Sequence, residues 1–126
     1  MGEQKAAVPS LDLVVEHAVV HSYPLPGGEY IIGRGDEADI QLLDGAVSGR
    51  HAVVTVTESE DFPGYFDAQV EDAGSRNGTK VNDRDIDTCP LSHDDMLKIG
   101  RTVLRYVDPN GEVSRKATAV VLPEDD

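Results

Sequence analysis

The sequence is poor in cysteine, in long apolar runs and in positive charge. Cys89 is the only cysteine among 126 residues, so neither an internal disulfide framework nor a cysteine-based zinc site can form. No run of about 18 consecutive apolar residues occurs, which would be needed to span a bilayer. The first ten residues, MGEQKAAVPS, contain no apolar segment after a basic one. We therefore expect neither a signal peptide nor a membrane span, and we expect a cytoplasmic location.

Positive charge is scarce, because 11 Lys and Arg residues oppose 24 Asp and Glu residues and leave a formal net charge of −13. A surface with this charge repels nucleic acid and anionic lipid, so we expect neither nucleic acid nor membrane as a partner. Any anion site must be local. Several bases lie in or beside glycine-rich turns, namely Arg34, Arg50, Arg76 and Lys80. Solubility alone explains a single basic residue in a loop, whereas four basic residues together favour a cationic site at the loops.

The histidines and glycines do not indicate a cofactor. The only two histidines spaced by four residues, His17 and His21, lie in a predicted strand rather than on a helix, where their rings would share a face. The other two, His51 and His93, stand apart in the sequence. The glycines around Arg34 do not match the Gly-x-Gly-x-x-Gly fingerprint of dinucleotide binding. We expect no metal and no cofactor.

Three residues also permit an enzymatic interpretation. Ser48, His51 and a carboxylate such as Asp72 could in principle form a catalytic triad. However, a serine and a histidine three residues apart at one loop–strand junction rarely reach the mutual geometry that a nucleophile and its base require. We expect no catalytic residues and no enzymatic activity.

Hydrophobic patterning predicts an all-β fold, a two-sheet β-sandwich of about eleven strands when short ones are counted. Apolar or alternating runs are separated by turn signals about every 8 to 12 residues, without a long amphipathic helix. The domain is expected at residues 11–107, between tails at 1–10 and 108–126, where ATAVVL could add an edge strand. The predicted strands are LDLVVEHAVV, EYIIG, ADIQL, HAVVTVTE, YFDAQVED and TKVN, followed by a turn at DRD, a connection CPLSHDD and a hairpin from MLKIG to TVLRYVD.

Residues 71–82, EDAGSRNGTKVN, carry more polar groups than a turn requires. Asn77-Gly78 alone is turn chemistry, because both residues tolerate positive φ. With Thr79 it also matches the acceptor pattern for N-glycosylation, which a chain with one cysteine and no signal peptide disfavours. A third interpretation is a turn whose backbone N–H groups and small polar side chains converge on an anion or on a peptide backbone.

Three loops share glycine, a hydroxyl or amide group, and arginine. In chain order their motifs are Gly33-Arg34, Ser48-Gly49-Arg50-His51 and Gly74-Ser75-Arg76-Asn77-Gly78-Thr79. Together they resemble the forkhead-associated (FHA) domain family, whose pattern is Gly-Arg, then Ser-x-x-His, then a glycine and Ser-x-Asn-Gly-Thr. The resemblance extends over residues 11–107 and is specific because three motifs occur in the right order, each at a strand junction.

The resemblance implies an eleven-stranded, FHA-like β-sandwich that holds a phosphothreonine peptide at the loops of one end. Arg34 would pair with the phosphate, Ser48 would donate its hydroxyl to it, and Asn77 would hold the main chain of the peptide. The supporting residues would be Gly33, Gly74 and Gly78 for backbone conformation, Thr79 to tie its loop to its neighbours, and His51 to brace the Ser48 loop by a buried hydrogen bond.

The sequence departs from the family pattern after the motif serine. A long cation that also contacts phosphate is frequent there, whereas this chain has Gly49, whose N–H alone can contribute. Arg50 follows one position later, and Arg76 stands where threonine is frequent, so both are candidate sources of the missing charge, with Arg76 favoured. The small residues DGAV before Ser48 favour an aliphatic residue three positions after the phosphothreonine.

The leading hypothesis is a phosphothreonine-dependent peptide- or protein-binding module, an adaptor or regulator in Ser/Thr kinase signalling. Its partner would be a phosphothreonine-containing protein, the substrate of a Ser/Thr kinase, and the module itself is expected to be a monomer. The alternative is an FHA-like β-sandwich that binds its partner without phosphate dependence. In the C-terminal tail, Thr118 follows two bases and has Val121 three positions later, so a phosphorylated Thr118 could bind another copy of the domain in trans.

Overall fold

A computed structural model describes residues 8–109 of the protein, which form eleven β-strands in two sheets and confirm the predicted all-β class and strand number. The tail segment ATAVVL and Thr118 lie outside the described residues. Within the described range, no helix is both long and apolar enough to cross a bilayer. The strands are β1 Ser10–Val15, β2 Ala18–Pro24, β3 Gly28–Gly33, β4 Ile40–Gln41, β5 Ala52–Glu58, β6 Phe66–Asp72, β7 Thr79–Val81, β8 Arg84–Ile86, β9 Thr88–Leu91, β10 Met96–Ile99 and β11 Thr102–Val107.

The two sheets enclose one hydrophobic core. One sheet has the order β2-β1-β11-β10-β7-β8, and the other has the order β4-β3-β5-β6-β9. Among these eleven strands only the β3–β4 pair is parallel. In β5 the alternation of HAVVTVTE buries Val54 and Val56 and leaves Thr55 half-buried on the opposite face. From the facing sheet, Leu104 and Tyr106 of β11 pack into the same cluster. The period-2 pattern therefore produces the sandwich.

The prediction that LDLVVEHAVV forms one strand is wrong, because in the structure this segment forms the β1–β2 hairpin. Glu16 and His17 adopt positive φ angles of 52° and 70° and form a two-residue turn between the strands. Val14 pairs with Val19 across this turn. Neither Glu nor His is a usual residue for such a turn, and valines on both sides make the segment resemble one continuous apolar strand.

The predicted turn at DRD and the predicted connection CPLSHDD are also wrong. The turn lies one residue earlier, at Asn82 and Asp83, whose φ angles are 51° and 71°. Arg84–Ile86 forms β8 and pairs with β7. Thr88–Leu91 forms β9 at the sheet edge beside β6, where Pro90 is tolerated because an edge strand can lack one N–H donor.

Strand register brings three loops to one end of the sandwich. Ala52 at the start of β5 lies opposite Ile32 near the end of β3 and opposite Asp72 at the end of β6. The β3–β4, β4–β5 and β6–β7 loops therefore lie side by side at the same end of the strands. These are the loops that carry the three sequence motifs.

Candidate functional site

The β3–β4 and β4–β5 loops lie directly against each other. The N–H of Arg34 donates to the carbonyl oxygen of Ser48 at 3.0 Å, and the N–H of Gly35 donates to that of Gly49 at 3.0 Å. A Cβ atom added at Gly33 would lie 2.1 Å from the Gly49 carbonyl oxygen. Gly33 is thus required for close backbone approach, and this approach places Arg34 beside Ser48.

Ser48 is oriented by contacts to two other parts of the site. Its N–H donates to Nδ1 of His51 at 3.0 Å, and its hydroxyl oxygen accepts a hydrogen bond from the N–H of Arg76 at 3.0 Å. Because the hydroxyl accepts at this contact, its own proton remains available for donation to a ligand.

His51 is fully buried and joins the β4–β5 loop to the β6–β7 loop. Its Nδ1 accepts from Ser48, and its Nε2 lies 2.8 Å from the carbonyl oxygen of Gly78. These partners indicate the neutral tautomer that carries its proton on Nε2, which donates to Gly78. Both ring nitrogens are occupied by backbone groups.

Asp72 organises the β6–β7 loop, a role that sequence reasoning missed. Its Oδ1 accepts from the hydroxyls of Ser75 at 2.6 Å and Thr79 at 2.7 Å, and its Oδ2 accepts from the N–H groups of Gly74 and Ser75. Burial acts to raise the pKa of Asp72, but these hydrogen bonds outweigh it and hold the pKa below its ordinary value. The detectable signal was an Asp two residues before a turn glycine, since Asp often accepts from the backbone there.

The loop that Asp72 organises presents Asn77 on its outer side. Asn77 is exposed, and its Nδ2 donates to the carbonyl oxygen of Ala46 at 2.9 Å. Its Oδ1 makes no hydrogen bond within residues 8–109 and can accept one from a ligand. Gly74 and Gly78 have φ angles of 81° and 82°, which favour glycine at both positions.

A fourth segment, the β10–β11 turn, also reaches the site through Asp44. Oδ1 of Asp44 accepts from the N–H of Ala46, and Oδ2 accepts from the N–H of Arg101 and the hydroxyl of Thr102, each at 2.8 Å. The Ala46 hydrogen bond is the main cause of a lowered pKa at Asp44, against the opposing effect of burial. No local pattern in the sequence indicates this contact.

The arginines at the loops are not neutralised by carboxylates. Nε of Arg34 donates to the carbonyl oxygen of Val47 at 3.1 Å, which fixes the base of an exposed guanidinium. Arg50 and Arg76 are exposed, and in the described part of the chain none of the three forms an ion pair. Lys80, in contrast, pairs with Asp85 at 2.8 Å.

The site therefore combines guanidinium groups with a hydroxyl donor and, beside them, an amide side chain. Charge-assisted hydrogen bonds from Arg34 and a donated proton from Ser48 suit a compact oxyanion such as phosphate. Asn77, which can both donate and accept, suits a peptide backbone next to that anion. In a protein with a net charge of −13, three arginines that form no ion pair within residues 8–109 supply the positive charge of this site.

Residues 30–100 match the FHA domain family, and the chain belongs to this family. It is 36% identical over 96 residues to the glycogen accumulation regulator GarA of Mycolicibacterium smegmatis, a match that covers 71% of this chain and 56% of GarA. It is 31% identical over 96 residues to the FHA domain-containing protein FhaA of Mycobacterium tuberculosis, covering 74% of this chain and 16% of FhaA. The chain thus spans only part of the length of these relatives.

The fold also matches solved FHA domains. One structure comes from a structural and functional analysis of phosphothreonine-dependent FHA domain interactions, and it is 28% identical to this chain with a TM-score of 0.66. The match covers 80% of this chain and 96% of that one. The eleven-stranded sandwich with its loop site is therefore an FHA architecture.

Proposed function

We propose that this chain is a phosphothreonine-dependent peptide- or protein-binding module that acts as an adaptor or regulator in Ser/Thr kinase signalling. The observation that carries this proposal is that Arg34 and Ser48 lie next to each other at the loop end of the sandwich. The guanidinium is exposed and forms no ion pair within residues 8–109, and the Ser48 hydroxyl is held by Arg76 so that its proton can be donated. Both groups suit a phosphate.

The proposed site comprises Arg34, Ser48, Gly49, Arg50, Arg76 and Asn77. The guanidinium of Arg34 and the hydroxyl of Ser48 would bind the phosphate, with an N–H from Gly49. Asn77 would read the main chain of the peptide through its free Oδ1. The structural residues are Gly33, His51, Gly74, Gly78 and Thr79, which hold the loops in place.

The role that we propose is binding without catalysis. The Ser48 hydroxyl accepts from the N–H of Arg76, while His51 contacts the backbone of Ser48 rather than its hydroxyl. A nucleophilic serine needs a bond from its hydroxyl to a general base. Neither a metal nor a cofactor enters the proposed function.

The partner that we propose is a phosphothreonine-containing protein that a Ser/Thr kinase has modified. The FHA domain would occupy residues 11–107 between tails at 1–10 and 108–126, and it would act as a monomer in the cytoplasm. The single cysteine is consistent with a reducing compartment. The net charge of −13 argues against nucleic acid and membrane as partners.

One observation favours a second candidate, an FHA domain that binds its partner without phosphate dependence. Gly49 offers no side chain where many FHA domains place a phosphate-binding cation. The charge available to a phosphate then depends on Arg34 together with Arg50 or Arg76. With fewer cationic contacts, phosphate would contribute less to the binding free energy.

Matched peptide pairs separate the two candidates. A library with a fixed central phosphothreonine and randomised flanks would select ligands, and each selected sequence would be compared with its unphosphorylated twin by calorimetry. The leading proposal expects phosphorylation to strengthen binding at least about tenfold, which corresponds to about 1.4 kcal/mol. Equal affinity for both members of a pair would favour phosphate-independent binding.

A further inference from the structure

A cleft of about 340 Å³ opens between the β3–β4 and β4–β5 loops. Its lining includes the apolar residues Ile31 and Ala38, the acidic residues Asp36 and Glu37, and Gly49. A Cβ atom added at Gly49 would meet nothing within 4 Å. Gly49 therefore borders open space and contributes no side chain to the lining.

The cleft is continuous with the surface around Arg34. A neighbouring depression of about 310 Å³ is lined by Arg34 and by Gly35, Asp36 and Gly49. The last three residues also line the larger cleft. The two depressions therefore adjoin, and a ligand whose phosphate contacts Arg34 lies next to the cleft.

The order of contacts along the β4–β5 loop shows on which side of the site the cleft lies. Ala46 contacts Asn77, Ser48 contacts Arg76, and Gly49 and Arg50 line the cleft. An extended peptide held at Asn77 and passing over Ser48 would approach the cleft with its opposite flank.

Two acidic residues, Asp36 and Glu37, line this side of the site. Asp36 lines the same depression as Arg34, where its negative charge opposes a bound phosphate. Within residues 8–109, its side chain has only a 3.5 Å contact from Nε2 of Gln41, and the side chain of Glu37 has no hydrogen bond. A cation supplied by the ligand would offset both charges.

Resting on the function proposed above, we propose that the cleft selects peptides with Lys or Arg on the flank of the phosphothreonine that lies away from Asn77. The apolar wall of Ile31 and Ala38 suits the aliphatic stem of such a side chain, and Asp36 and Glu37 suit its charged head. Arg50 lines the same cleft, so an acidic flank is the competing preference that an experiment must distinguish.

The test uses fluorescence anisotropy with alanine-flanked phosphothreonine peptides in which a single Lys or Glu is moved through three positions on either side. On one flank we expect Lys to tighten binding about two- to fivefold over Ala, the range of an exposed ion pair. Glu should weaken binding there. The preference should shrink at high salt.

Two protein variants locate the effect. The double substitution Asp36→Asn, Glu37→Gln should make the Lys and Ala peptides bind equally. The control Glu60→Gln, Asp61→Asn removes the same charge from exposed residues beyond the far end of β5, so it should retain the preference.

Several outcomes would overturn the inference. They are equal binding of Lys and Glu peptides at every position, a preference for Glu, a full preference in the Asp36/Glu37 variant, or an equal loss in the control variant. The alanine-flanked phosphopeptide and its threonine twin are measured first. If these two bind equally, or if neither they nor any peptide of the randomised phosphothreonine library binds, the proposed phosphothreonine function fails, and this inference fails with it.

Discussion

The carbonyl oxygen of Gly78 lies 2.8 Å from Nε2 of His51, and this hydrogen bond joins the β6–β7 loop to the start of β5. The other nitrogen of the ring accepts from the N–H of Ser48. One fully buried side chain thus sets the position of Ser48 relative to the loop that carries Asn77. The proposed ligand contacts depend on a residue that has no exposed surface.

We expect His51→Ala to lower the free energy of unfolding by about 3 to 5 kcal/mol, because it creates a cavity and leaves two backbone groups without partners. Urea unfolding followed by circular dichroism measures the change. His17→Asn is the matched control, since His17 is exposed at a positive φ that Asn tolerates. It should change stability by about 0.5 kcal/mol or less. Equal effects of the two substitutions would contradict the bracing role of His51.

Asp72 should make stability depend on pH in the acid range. Its pKa is lowered in the folded protein, so its contribution is present above the unfolded value of about 3.9 and is lost as the pH falls through the folded value. We expect Asp72→Asn to be clearly destabilised at pH 7, and its difference from the wild type to shrink below about pH 4. Glu71→Gln, at the exposed neighbour, should show little difference at either pH. A difference for Asp72→Asn that is constant with pH would rule out this linkage.

Arg34→Ala should weaken phosphopeptide binding about tenfold or more, because it removes at least one charged hydrogen bond worth about 1.5 to 3 kcal/mol. The fold should remain intact, because the N–H of Arg34 still donates to Ser48. Arg84→Ala, an exposed arginine of β8, removes the same charge away from the loops and should change affinity little. Unchanged affinity of Arg34→Ala with an unchanged circular dichroism spectrum would exclude a phosphate contact.

The sequence predicts the parts of the fold that depend on local chemistry. Alternation in HAVVTVTE identifies β5, and glycine with small polar residues marks the Ser48 and Asn77 loops. The sequence does not predict the β1–β2 turn, because Glu16 and His17 adopt positive φ without glycine or asparagine. Here tertiary pairing of the flanking valines outweighs the local preference of the turn residues.

Contacts between distant segments were the other part that the sequence did not reveal. Asp44 accepts from Thr102, which lies 58 residues later in the chain. No local pattern around an Asp-Gly pair distinguishes a free turn from one that binds another loop. The contacts of Asp72 are of both kinds. Its contact with Gly74 follows from the local sequence spacing, whereas its contact with Thr79 forms only in the folded loop.

Gly33 lies against the backbone of Gly49, so a side chain at position 33 should destabilise the fold. A Cβ atom at Gly33 would lie 2.1 Å from the Gly49 carbonyl oxygen. We therefore expect Gly33→Ala to be destabilised by about 3 kcal/mol or more, because backbone must move to admit the methyl group. Gly45→Ala, where a Cβ meets nothing within 4 Å, should be close to neutral in the same urea titration. A stable Gly33→Ala protein would contradict the close approach of the two loops.

Gly49→Arg should strengthen phosphopeptide binding about three- to tenfold, since a Cβ at Gly49 points into open space and a guanidinium there adds a charge-assisted contact. The threonine twin should gain little. Gly45→Arg adds the same charge to the same loop and should not reproduce the gain. An equal gain with Gly45→Arg, or with the unphosphorylated peptide, would indicate general charge attraction.

If Arg76 supplies the charge that Gly49 lacks, Arg76→Ala should weaken phosphopeptide binding, and Gly49→Arg should restore the affinity in the double variant. If Arg76→Ala instead binds like the wild type, the second phosphate cation is Arg50 or none, which Arg50→Ala decides by the same titration.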